Sequence, residues 1–175
     1  MRSILPVPGA NMVPYRYLPA NLSRKDRYAQ TKSLQKSRRL YRQGKYFTRP
    51  AIKSFQSRKS DHIRRAEKMY GITPIVPSAA LAKATKCSVD ALQKIVRKGE
   101  GAYYSSGSRP NQTAQSWGIA RLASAVSGGK SSAVDFRILE KGCDHRSSKA
   151  YRLAKKSLRK YGYGRRHTRR VRMVA

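Results

Sequence analysis

Few residues in this chain are spaced for covalent or metal chemistry. Cys143-Asp144-His145 sets three potential ligands side by side, but a structural zinc takes four and no second cluster accompanies them, so no metal is expected. Gly128-Gly129-Lys130-Ser131-Ser132 resembles the end of a phosphate loop. The first glycine of such a loop is missing and no strand precedes it, so the run reads as a helix stop. His62, His145 and His167 are scattered through charged contexts and no carboxylate pair stands near them. Neither catalysis, a cofactor nor a small-molecule substrate is expected, and the chain reads as a non-enzyme.

The chemistry that remains is electrostatic. There are 40 Lys and Arg against 8 Asp and Glu, a formal charge of +32. Charge of that size repels itself, so a polyanion or an acidic protein surface is expected as partner. Residues 1–60 carry 15 basic and 1 acidic side chain, and residues 146–175 carry 12 and none. Residues 61–100 (8 and 4) and 101–145 (5 and 3) are milder, which predicts a core between two cationic arms. Arg38, Arg39, Arg42, Lys45, Arg165, Arg166, Arg169, Arg170 and Arg172 are the candidate polyanion contacts, since such arms bind without needing a fold. Tyrosines interleave with these cations at Tyr15-Arg16-Tyr17, Leu40-Tyr41-Arg42, Lys45-Tyr46 and Tyr161 to Arg166. That pattern suits stacking on bases and burial in a protein neighbour equally well.

The elements that must position these groups are helical, and the expected fold class is all-α: a small helical core with extended basic N- and C-terminal arms. Residues 1–22 hold four prolines and read as an extended Pro/Tyr-rich arm. Residues 23–60 read as a basic helix, Arg24 to Gln43, begun by a Ser23/Asp26 capping box and stopped at Gly44, followed by an extended basic linker. The core domain is assigned to residues 61–161 and an Arg-rich tail, disordered when alone, to 162–175. Within the core a helix over 61–70 is capped by Ser60 and stopped by Gly71. Ser78 to Gly99 reads as two short helices capped by Ser78 and Ser88. With Ala82 as the small residue at the crossing, Cys87, Leu92 and Ile95 fall where a helix-turn-helix pair needs apolar groups, although Lys86 stands where glycine is usual. Asp90, Gln93, Lys94 and Arg97 would then face a major groove. A loop is expected from Gly99 to Gln112, then helices over 114–127, 133–141 and 148–161.

No stretch approaches the roughly 18 apolar residues of a membrane span, and the Pro-broken start is a poor secretory signal. Two cysteines, Cys87 and Cys143, fit thiols in a reducing compartment, with a single disulfide open but not indicated.

The segment Gly101 to Cys143, with SSGSRPNQT followed by SWG, resembles an uncharacterised basic family encoded by large double-stranded DNA viruses, notably algal and giant viruses. The YFTRPAIKSFQSRKS stretch and the helical pair before Gly99 are similar to that family too. The resemblance implies a viral setting and no reaction. The expected role is a minor capsid or cement protein of the virion, assembled in the host cytoplasm and bound to major and other minor capsid proteins. Tyr15, Tyr17, Tyr46, Phe47 and Phe55 would anchor in neighbours, and Ser105, Ser106, Arg109, Asn111 and Gln112 would hydrogen-bond one defined partner. The alternatives are a genome-associated DNA-binding protein, a ribosomal or other ribonucleoprotein subunit, and, as a third class, a metal-dependent nuclease, which is not expected.

Overall fold

Serine caps and glycine stops set the frame of the chain. In the computed structural model, which describes residues 11–163 and 168–174, helices dominate and the all-α expectation holds: 58% helix against 5% strand. The described chain gathers into two units. Unit 1 takes Met1–Ser57, Tyr104–Gln112 and His167–Ala175, and unit 2 takes Arg58–Tyr103 and Thr113–Arg166.

Unit 1 begins with a short antiparallel ribbon, β1 (Met12–Pro14) against β2 (Arg170–Arg172), in the register Met12↔Arg172, Val13↔Val171 and Pro14↔Arg170. The ribbon is extended by Tyr15 N–H to the Arg169 carbonyl (2.8 Å) and Met173 N–H to the Asn11 carbonyl (2.7 Å). This corrects the expectation of a free tail: Val171 and Met173 alternate with arginines, so one edge packs while the cations face out. A 3-10 turn, Tyr15–Tyr17, leads to α1 (Arg24–Tyr41). Ser23 Oγ accepts the Asp26 N–H at 3.1 Å, as a cap should. The reciprocal half of the box does not close through Ser23's own N–H, which donates to Ser54 Oγ, and Asp26 accepts the Ser54 N–H at 2.8 Å. Val13, Tyr17, Leu18, Leu22, Leu34, Ile52 and Met173 form the buried apolar set.

Unit 2 holds α2 (Asp61–Tyr70), α3 (Ala79–Thr85), α4 (Val89–Ser105, whose last two residues belong to unit 1), α5 (Ala114–Val126), α6 (Lys130–Val134), α7 (Phe136–Gly142) and α8 (Lys149–Tyr161). α5 is central, packing on α2, α6 and α8. Its Leu122 to Val126 stretch is buried together with Leu81, Leu92, Ile95, Leu139 and Ala154, while Trp117 is half-buried. α2 has the predicted bounds: Ser60 Oγ accepts from His62 N–H, and Gly71 ends the helix at φ 64°. Thr113 and Ser116 cap α5 reciprocally, with Ser116 N–H to Thr113 Oγ1 at 3.0 Å and Thr113 N–H to Ser116 Oγ at 2.9 Å.

Three expectations change here. Gly99 does not stop α4, which runs on to Ser105. A Cβ on Gly99 would lie 2.6 Å from Gly118 Cα, so the two glycines let α4 and α5 meet backbone to backbone. The helix expected over 133–141 is two helices, α6 and α7, divided at Asp135. Cys87 and Cys143 form a disulfide rather than two thiols. They face each other in an isolated antiparallel bridge, framed by Ser88 N–H to the Gly142 carbonyl (2.7 Å) and Asp144 N–H to the Lys86 carbonyl (2.8 Å).

Candidate polyanion-binding surfaces

In unit 1, α1 carries the cations and the loop after α4 holds the strip that follows α1. Arg38 donates through Nε and Nη2 to the Ser106 carbonyl at 3.0 and 2.8 Å, and its partial burial draws the guanidinium's pKa down. Arg49 is 6% exposed; Nη1 donates to Ser37 Oγ (3.1 Å) and Nη2 to Ser108 Oγ (2.6 Å). Asn111, at φ 59°, accepts the Ile52 N–H and donates to the Ile52 and Phe55 carbonyls. Gln112 Nε2 donates to Ser57 Oγ at 3.1 Å. The polar run after α4 thus clamps residues 49–57, and Ser106, Asn111 and Gln112 spend hydrogen bonds inside their own unit. Ser105 and Arg109 are exposed.

Of the aromatic anchors, Tyr17 is corrected: at 5% exposure it lies in the interior, where a Cβ on Gly107 would meet its ring at 3.0 Å. Tyr15 lies under the Arg169 guanidinium at 4.8 Å, and Phe47 under the Lys36 ammonium at 4.4 Å. Phe55 is half-buried and Tyr46 is 71% exposed. Among the candidate cations, Arg39, Arg42, Lys45, Arg169, Arg170 and Arg172 are exposed. Arg165 and Arg166 lie outside the described residues.

A family model, "Family of unknown function (DUF5824)", matches residues 14–152. The chain belongs to this family. The description carries no activity. Searches of curated proteins and of solved structures return no match.

In unit 2 this DUF5824 chain has the α3–α4 pair. Lys86 takes the left-handed conformation (φ 55°, ψ 40°) that glycine would supply at the turn. Ser78 caps α3, and Ser88 Oγ accepts the Ala91 N–H. Leu81, Thr85, Cys87, Leu92 and Ile95 are all at most 5% exposed. Gln93, Lys94 and Arg97 are exposed, and Asp90 is paired with Lys94 at 2.7 Å.

Two features of unit 2 are not among the sequence-based expectations. The first is the cationic face of α8, itself an expected helix, which buries Ala150, Tyr151, Ala154 and Ser157 and exposes Lys149, Arg152, Lys155, Lys156, Arg159 and Lys160. Its 3.6-residue period is visible in the sequence, but the heavier charge of the arms masks it. The second is Asp135, wholly buried, which accepts from Arg121 Nε (2.7 Å) and Nη2 (2.8 Å) and from Lys98 Nζ (2.8 Å). Its one sequence signal is its isolation as the only carboxylate between Glu100 and Glu140. Among the described residues no group of His, Cys, Asp and Glu could hold a metal, and no helix is long and apolar enough to cross a membrane.

Proposed function

We propose that the protein is a structural component of a virion, a minor capsid or cement protein that binds major and minor capsid neighbours through its cationic surfaces. The observation that carries this reading is the charge displayed on ordered elements. α1, the outer face of α8 and the terminal ribbon all present lysines and arginines to solvent, and 8 carboxylates cannot balance 40 cations. Acidic capsid faces would neutralise them, with Phe47 and Phe55 as contacts to the neighbour. The viral setting, and with it assembly in a host cytoplasm, rests on the resemblance of Gly101 to Cys143 to proteins of large double-stranded DNA viruses.

A second reading, a genome-associated DNA-binding protein, is favoured by the α3–α4 pair. Its left-handed Lys86, its buried apolar positions and its exposed Gln93, Lys94 and Arg97 suit a helix entering a major groove.

Fractionation of disrupted particles tests the two. Co-sedimentation with emptied shells, resistant to nuclease, is the expected result. Release with the genome, together with duplex binding that falls steeply with salt in gel shifts, would replace the shell reading with the genome reading.

A further inference from the structure

Tyrosines stand out on the surface of unit 1. Tyr28 is 53% exposed, Tyr41 37% and Tyr46 71%, and the other large apolar side chain exposed among its described residues is Val174. Two of these tyrosines are held together with a third. Gly44, at φ 72°, reverses the chain after α1, and Lys45 N–H returns to the Leu40 carbonyl at 2.9 Å. That reversal brings Tyr46 to 6.2 Å from Tyr41 and 4.9 Å from Tyr104, centroid to centroid, with the planes tilted by 56° and 55°. Exposed Arg42 and Lys45 lie between Tyr41 and Tyr46 in the chain. The one side-chain carboxylate within the sequence of unit 1 is Asp26, and it is engaged by Ser54.

An occupant of this surface must offer flat apolar faces and negative charge together. A protein interface can also place tyrosine and arginine at its centre, but apart from Val174 no large aliphatic side chain is exposed among the described residues of unit 1 to complete an apolar core around them. Duplex DNA offers the charge but hides the faces of its bases. Single-stranded nucleic acid offers both, with bases to stack on phenol rings and phosphates for Arg42 and Lys45. We infer that Tyr41, Tyr46 and Tyr104 form a stacking platform for single-stranded nucleic acid. The site goes beyond the shell reading and does not depend on it.

The test uses the full chain and a fluorescein-labelled oligothymidylate of about 15 nucleotides, read by anisotropy at about 0.1 M salt. Tyr46→Ala is expected to weaken binding about 5- to 100-fold without changing the salt slope, and Tyr46→Phe to stay within about two-fold, because the ring remains. Arg42→Gln with Lys45→Gln is expected to lower the log–log salt slope by about 0.7 for each phosphate that the two side chains neutralise. At 71% exposure Tyr46 is dispensable for folding, which near-ultraviolet circular dichroism of each variant checks. Wild-type affinity in Tyr46→Ala would overturn the platform. So would an equal loss of binding to a polyglutamate peptide, which would mark a protein partner, or tighter binding of the matching duplex.

Discussion

The two units carry the same net charge by different means. Unit 1 has 17 Lys and Arg against one carboxylate, and unit 2 has 23 against seven, so each stands at +16. In unit 2 an apolar core of leucine, isoleucine and alanine is closed, and ion pairs such as Asp135 with Arg121 are set into it. In unit 1 the cations take part in the architecture, because Arg27, Arg38 and Arg49 donate to carbonyls and hydroxyls where an ordinary unit would have more apolar contact. A chain this basic can therefore fold by two routes: charge kept outside a core, or charge satisfied by neutral acceptors. The second route leaves the positive charge undiminished for a partner.

The contrast breaks hardest at Asp135. Asp135→Asn leaves the half-buried Arg121 without its counter-charge and is expected to cost about 3 kcal/mol in urea unfolding; a loss below about 1 kcal/mol would mean that the pair is ornamental. Replacing both Cys87 and Cys143 by serine removes a link across 56 residues. It should cost about 2–4 kcal/mol, and the same loss should appear when the wild type is treated with reductant. In unit 1, Arg49→Ala removes two charge-assisted hydrogen bonds to the hydroxyls of Ser37 and Ser108, which keep their own bonds to the Tyr104 and Arg109 carbonyls, and should cost about 1.5–3 kcal/mol. Arg49→Lys should not restore it, because one ammonium lacks the fork that reaches both oxygens. Full rescue by lysine would show that charge alone matters there.

Acid gives the smallest effect. The hydrogen bonds from Ser54 hold the Asp26 carboxyl below its usual range, and the Ser147 and Arg146 N–H groups do the same for Asp144. A depressed folded pKa contributes stability above the ordinary carboxylate value, and that stability is lost as pH falls through the depressed one. Hydrogen exchange should therefore show the amides of Ser54, Arg146 and Ser147 losing protection below about pH 4, with Asp26→Asn abolishing the pH dependence at Ser54 alone.

Local structure is legible in the sequence wherever one side chain decides the outcome. Ser60 and Gly71 bound α2, and Ser78 and Ser88 cap the paired helices. What escapes depends on groups distant in the chain. Gly99 looks like a stop until Gly118 is placed against it, and a helix crossing cannot be read from either glycine alone. The Cys87 pairing, the division at Asp135 and the burial of Arg49 are likewise set by partners far off in sequence. The polar run after α4 reads as a contact surface because its side chains are hydrophilic, yet Ser108 and Asn111 use that polarity to hold residues 49–57.

The pairing of β1 with β2 has a consequence for biosynthesis. Arg170 reaches the carbonyl of Met12 across 158 residues, so in a nascent chain leaving the ribosome that ribbon cannot close until all of the intervening chain has been made. Unit 2 is encoded between the two strands and can form first. Until then the early cationic segment stays unzipped, open to whatever anion it meets during synthesis.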